Sequence, residues 1–304
     1  MGEVLQQHYW GSGSQLHDIL RLLAHQGFNY TTCIDVGAVE YTGEKHGKGD
    51  SALAVEFYRL FLSPTRPSRV LAFEPNKQNA LYAKAERCCA GEVRVSSSLV
   101  SAHRGTIELR GRANRATTNP RLFALPKYAK GSSIRLPATT IDHEAAANGL
   151  EMVDVLKTDT EGCEWEVLQG ARRLLEQRRV RVLLVAYEDK WSADTFFGAY
   201  PTGGRAAAPN VSAMEQPTLR SVTRYLEAVG FVSHLLGTAQ QPSSSRPVQL
   251  IPLSEGCWDD AFEIARNPKR LGLQYTWMDF VAMARGSAED ELLRHLAATA
   301  CGAP

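Results

Sequence analysis

The sequence predicts an α/β fold, a doubly wound and mainly parallel sheet with helices on both faces. Short apolar runs of strand length, such as Arg69-Val70-Leu71-Ala72-Phe73, Val153-Asp154-Val155-Leu156-Lys157 and Val180 to Ala186, recur along the chain. Segments with apolar residues at helical spacing separate them. The runs are nearly continuous rather than alternating, as expected of strands covered on both faces.

The elements follow in order. Leu16, Ile19, Leu20 and Leu23 recur at helical spacing and Gly27 supplies a stop. Residues 1–30 therefore read as an N-terminal helical segment ahead of a domain over 31–304. Thr31 to Val36 is the first strand and runs into Gly37. A polar loop, Glu40 to Gly49, carries Lys45, His46 and Lys48. Asp50 or Ser51 can then cap a helix with Leu53, Ala54, Phe57, Tyr58 and Phe61 on one face, ended by Pro64 and Pro67. The strand at 69–73 stops at Glu74-Pro75-Asn76. Lys77 to Cys89 reads as a helix, and Val93 to Ser97 and Thr106 to Leu109 as strands. Residues 111–133, rich in Arg, Asn, Pro and Gly, read as an excursion outside the main sheet.

Val153 to Lys157 is the fourth main strand. The helix from Cys163 to Gln177 sets Val167, Leu168, Ala171, Leu174 and Leu175 on one face. After the strand at 180–186, residues 192–215 lack periodicity and read as a second excursion. Leu219 to Val229 is a helix, Phe231 to Leu236 a strand, and Trp277 to Met283 the last strand.

Composition narrows the function classes. The chain has 304 residues with 34 Lys+Arg against 33 Asp+Glu, a formal net charge of +1. That balance supplies no global field for collecting nucleic acid or anionic membrane. Arg104, Arg110, Arg112, Arg115 and Arg121 offer a local basic patch, but without the interleaved aromatics of a nucleic-acid platform, so no nucleic-acid partner is expected. No apolar run reaches membrane-spanning length. The first residues lack the basic and apolar regions of a signal peptide, and Gln6 breaks the myristoylation pattern. Six cysteines are too few for a disulfide scaffold, and adjacent Cys88 and Cys89 are not expected to bridge easily. A reduced, cytoplasmic setting follows, while the sequons Asn29-Tyr30-Thr31 and Asn210-Val211-Ser212 keep a secretory or Golgi-lumenal reading open.

In such sheets ligands bind at the carboxyl ends of strands, near the point where strand order reverses. The first strand ends in Ile34-Asp35-Val36-Gly37, and the glycine lets backbone approach a ligand closely. The second ends in Glu74, placed to accept hydrogen bonds from ribose hydroxyls. Together they suggest a nucleoside-containing cofactor. The G-x-G-x-x-G fingerprint is absent, and Glu40 would repel a pyrophosphate, which disfavours a dinucleotide and a nucleotide-dependent oxidoreductase. S-adenosylmethionine, which has no phosphates, meets the requirement. In the fourth strand Lys157, Asp159 and Glu161 alternate and share one side if the strand stays extended. They read either as site residues or as a Lys157–Asp159 ion pair with Glu161 at the start of the next helix.

Val153-Asp154-Val155-Leu156-Lys157-Thr158-Asp159-Thr160-Glu161-Gly162-Cys163-Glu164, followed by Leu168-Gln169-Gly170-Ala171, resembles the FkbM-like family of S-adenosylmethionine-dependent methyltransferases. Asp35-Val36-Gly37-Ala38, Ala72-Phe73-Glu74-Pro75-Asn76, Thr140-Ile141-Asp142 and Tyr187-Glu188 match its other motifs in order, across residues 31 to 191. The resemblance implies the class I methyltransferase fold, a Rossmann-like seven-stranded sheet with an antiparallel last strand. It also implies O-methylation of a hydroxyl on a sugar, a glycan or a small secondary metabolite. By matching position, Asp35 and Gly37 would line the methionine part of the cofactor and Glu74 would hold the ribose. Ser98 and Leu99 would flank the adenine, with Asp159 and Glu161 at the reacting end. Asp159, Glu188 and His46 are the candidate bases, and no metal is required, although Asp159, Glu161 and Glu188 would form an oxygen-rich magnesium site if they converged. The chain departs from the family at Val39 and Glu40 and in a longer stretch between Gly37 and Phe73. These departures motivate the alternative of a weak or inactive cofactor-binding protein with a regulatory or scaffolding role.

Overall fold

In the computed structural model, the placement of apolar runs on two faces of one sheet organises the chain. The structure describes residues 8–9, 14–40, 52–61, 69–89, 91–112, 115–117, 132–160, 162–188, 218–239, 249–254, 257–258 and 277–297. Thirteen strands are β1 (His8–Tyr9), β2 (Thr32–Val36), β3 (Arg69–Phe73), β4 (Val93–Ser96), β5 (Leu99–Val100), β6 (Gly105–Arg112), β7 (Arg115–Thr117), β8 (Ser132–Thr139), β9 (Val153–Thr158), β10 (Val180–Glu188), β11 (Phe231–Ala239), β12 (Gln249–Pro252) and β13 (Trp277–Ala284). The helices are α1 (Ser14–His25), α2 (Leu53–Phe61), α3 (Ala80–Cys88), α4 (Ile141–Ala147), α5 (Glu164–Gly170), α6 (Arg172–Glu176), α7 (Leu219–Ala228) and α8 (Ala288–Ala297).

The main sheet runs β4-β3-β2-β9-β10-β13-β11, with β1 and β12 both paired to β11. Neighbours from β4 to β10 are parallel, and β13 lies antiparallel between β10 and β11. Strand order reverses between β2 and β9, so the ligand crevice of such sheets falls at the ends of these two strands. Among the described residues the sheet has nine strands rather than the seven expected. The additions are a two-residue strand and a four-residue one, both too short to show a period in sequence.

Alternation divides the core. Ile34, Val36, Phe73, Leu156, Leu183 and Phe280 pack on one face, under α4 to α7. Cys33, Val70, Ala72, Val155, Leu184 and Val281 pack on the other, with the apolar sides of α1, α2 and α3. Leu16, Ile19, Leu20 and Leu23 of α1 belong to this second cluster, so the N-terminal helix shares the core of the sheet. At the amino ends of the strands, Asp154 Oδ2 accepts from Thr31 N at 2.8 Å and Thr32 N at 3.0 Å. Arg181 pairs with Asp154 at 3.2 Å and with Glu289 of α8 at 2.6 Å, and Tyr30 donates to Glu289 at 3.0 Å. This network ties β2, β9 and β10 to the last helix.

A second sheet, β5-β8-β6-β7, has four strands. Residues 111–112 and 115–117, within the expected excursion, belong to it, while 118–131 and the excursion at 192–215 lie outside the described residues. The helix expected over 163–177 is two helices meeting at Ala171. Gly170 is the last residue of the first, and a Cβ there would stand 2.2 Å from Ser101 O, where the backbone just past β5 passes close. Cys88 and Cys89 form a disulfide, contrary to the expectation for adjacent cysteines. Among the described residues no helix is long and apolar enough to cross a membrane.

Candidate functional site

The site grows from Gly37, where β2 must turn away before reaching solvent. Its φ is +74°, a conformation that costs L-residues roughly 1–2 kcal/mol. A Cβ at this position would also lie 1.8 Å from Asp159 O. The ends of β2 and β9 are thus in contact through backbone, sealed by Asp159 N donating to Val36 O at 3.0 Å. Gly37 N and Ala38 N both donate to Phe73 O, which ties β3 into the same corner.

Lys157 reaches into this corner from β9. Its Nζ donates to Gly37 O at 2.8 Å and lies 3.1 Å from Asp35 Oδ1 and 3.5 Å from Asp159 Oδ2. Asp35 is fully buried, and its Oδ2 accepts from Ala54 N at the start of α2 at 2.8 Å. Of the predicted residues, Asp35, Gly37 and Asp159 are therefore brought together around one lysine. Asp159 keeps about a third of its side chain accessible, with 34% relative exposure. Of the two sequence readings of this strand, the Lys157–Asp159 ion pair forms, at the carboxyl end of β9.

Glu74 closes the neighbouring strand end. It is buried, and its Oε1 accepts from Asn76 N at 2.7 Å. No hydrogen bond to its Oε2 is found among the described residues. Burial pushes its carboxyl up to about 7, against the lowering effect of the Asn76 amide and Lys157. Glu40, expected to repel a phosphate, is instead neutralised: it pairs with Lys84 of α3, and its Oε2 accepts from Ala52 N at 2.9 Å. Its backbone N donates to Asn79 Oδ1, the same atom that caps α3 through Leu81 N. The departure from the family pattern at this position thus anchors the turn after β2 to two helices.

Glu164 is a residue whose task the sequence reading left unassigned. Fully buried at the start of α5, it accepts from Thr160 N at 2.6 Å and Gly162 N at 3.1 Å, folding the turn after β9 around its carboxylate. Burial raises its carboxyl to about 7 as well. Asp279 is the second omission. It lies buried on β13 and shares with Asp35 and Lys157 the face of α1 and α2, since Asp35, Lys157, Leu184 and Val281 pair in one row. An acidic residue inside the apolar run Trp277 to Met283 was the available signal.

Ser98 and Leu99 are not brought into this cluster. Ser98 lies between β4 and β5, its N donating to Ser96 Oγ at 3.2 Å. Leu99 opens β5 and packs with Leu109 and Ala138 in the core of the second sheet. Glu188 ends β10 opposite Trp277, with its side chain outside the described residues. His46 and Glu161 also lie outside them. A polar cavity of about 370 Å³ bordered by Arg69, Glu92, Arg94 and Asn148 sits at the opposite edge, by the amino ends of β3 and β4. Among the described residues, no group of three or more His, Cys, Asp or Glu is arranged to hold a metal ion.

The raised carboxyls make stability depend on pH. Glu74 binds its proton more tightly folded than unfolded, so its stabilising contribution is complete below 4.5 and is lost as pH rises through about 7. His234, buried and held down to about 4, acts in the opposite sense, costing stability as pH falls below its ordinary 6.5. Comparison with Glu74→Gln isolates the first effect. Between pH 4.5 and 8, urea titrations should show the wild type losing about 3 kcal/mol relative to this variant. Parallel curves would mean that Glu74 is ionised throughout.

The family model for the methyltransferase FkbM domain matches residues 36–233. Among solved structures the chain is similar to methyltransferase FkbM from Methylobacillus flagellatus KT, with 17% sequence identity and a TM-score of 0.30. That match covers 61% of this chain and 47% of the other, so the chain spans about half the length of that relative. No curated protein matches.

Proposed function

The chain belongs to the FkbM methyltransferase family, and from that premise we propose that it binds S-adenosylmethionine at the ends of β2, β3 and β9 and methylates a hydroxyl of a small-molecule or glycan acceptor. The observation that carries this reading is Glu74, a buried carboxylate ending the second main strand with Oε2 open to a donor. A ribose hydroxyl supplies such a donor. The bare backbone at Gly37 and the paired Asp35 and Lys157 beneath it fit the amino-acid part of the same ligand. When bound, S-adenosylmethionine supplies a methyl group already activated by its sulfonium.

The residues of the chain then mostly position. Lys157 holds Gly37 O and the two aspartates in one arrangement, so little ordering remains when ligand arrives. Asp159, the partly exposed member, is the candidate to take the proton from the acceptor hydroxyl at its carboxylate. Glu188 is the next candidate and His46 the third, with Glu161 beside the reacting end and Ser98 and Leu99 toward the adenine.

Calorimetry with S-adenosylmethionine, and transfer of its labelled methyl to glycan, lipid and small-alcohol pools, test the proposal. Glu74→Ala should weaken cofactor binding by about 1.5–3 kcal/mol. Asp159→Asn should lower transfer at saturating cofactor by about 10²-fold or more. Absence of binding at millimolar cofactor by folded protein refutes the reading. Binding without transfer to any pool supports a non-enzymatic cofactor-binding protein.

A further inference from the structure

Asp279 pairs in register with Ala186 of β10. One step past the last paired residues, Val185 and Thr158, the register of β9 and β10 brings Asp159 level with the same alanine. Asp159, Ala186 and Asp279 therefore form a row across three strands, on the face that carries Lys157. The middle side chain is only a methyl group, so the sheet sets no larger side chain between the two carboxylates, whose backbones stand two strand spacings, roughly 10 Å, apart.

Charge does not balance around this row. Lys157 is shared between Asp35 and Asp159 and also donates to Gly37 O. Asp279 is 8% exposed, and among the described residues no hydrogen bond or ion pair reaches it. Burial, reinforced by the charge of Asp159, pushes its carboxyl well above the usual range, and Lys157 offsets this only in part. Buried carboxylates without partners are costly, and a cation entering between the two would remove the cost.

We infer that Asp159 and Asp279 form a pocket for a positive charge on the ligand, and that this charge is the sulfonium of S-adenosylmethionine. The inference rests on the cofactor reading above. The demethylated product, S-adenosylhomocysteine, lacks that charge, so the pocket distinguishes cofactor from product and favours exchange of one for the other.

Calorimetric titration of wild type and Asp279→Asn with both ligands, in buffer containing EDTA so that no metal supplies the charge, tests it. Asp279→Asn should weaken S-adenosylmethionine binding about tenfold and leave S-adenosylhomocysteine binding within about twofold. Its melting temperature should match or exceed that of the wild type, since a buried carboxyl without a partner gives way to a neutral amide of the same shape. Asp279→Ala should change the ratio of the two affinities in the same direction. An unchanged ratio in both variants overturns the inference while leaving the cofactor reading intact. A lower melting temperature with equal loss of both ligands overturns it in favour of a structural role. If the wild type binds neither ligand, the cofactor reading itself fails and this inference with it.

Discussion

Gly37→Ala is expected to abolish ligand binding and to destabilise the fold together. The left-handed φ of +74° costs roughly 1–2 kcal/mol for alanine. The added methyl also meets Asp159 O at 1.8 Å, a distance that forces the end of β9 to move. Overpacking of this kind typically costs about 1–3 kcal/mol more. Relief by displacement would pull Asp159 away from Lys157 and break the bond from Asp159 N to Val36 O. Urea denaturation and calorimetry on the same preparation check the result. A Gly37→Ala protein with wild-type stability and wild-type affinity for S-adenosylmethionine would show that this contact is not the floor of the site.

Lys157→Met is expected to be the more destructive change for stability. Methionine fills much of the same volume but strips Asp35, fully buried, of its ion pair, and it removes the donor to Gly37 O. Removing one partner of a buried pair costs about 3–5 kcal/mol, because the remaining charge is left uncompensated. Among the described residues, Asp35 would retain only the amide of Ala54. Adding Asp35→Asn to Lys157→Met should recover part of the loss, and the double-mutant cycle measures the coupling. A loss below about 1 kcal/mol for the single variant would mean that water or a rearranged neighbour satisfies Asp35.

The legible parts of this protein are those where local chemistry and global fold agree. Arg69 to Phe73 and Val180 to Ala186 were strands by apolar run and β-branching, and the structure buries them on both faces. Gly37 and Glu74 stood out because each ends such a run with a residue that interior packing does not want. The second sheet was only partly visible. Thr106 to Leu109 read as a strand, but its partner β8 carries two serines and Pro137 among its apolar residues and shows no clear period. Leu99 was placed at the third strand's end, yet the chain leaves the main sheet at Ser96 and Leu99 begins another.

The sequence by itself determined the mainly parallel α/β architecture and the order of the strand-end motifs, because period, strand length and turn residues are local properties, whereas the reversed last strand was implied only by the family resemblance. It also identified Asp35, Gly37, Glu74 and Asp159 as strand-end residues. Only the tertiary structure decided which charges meet. Lys157 lies two residues from Asp159 but 122 from Asp35, a separation along the chain (157 − 35) across which no local rule operates. Glu40 seemed a misplaced charge until α3 brought Lys84 to it. Asp279 read as one acid in an apolar strand until antiparallel pairing set it beside Ala186 and Asp159. The reason is physical: burial fixes which face a residue takes, but the partner of a buried charge depends on strand register, and register is settled by packing of the whole sheet.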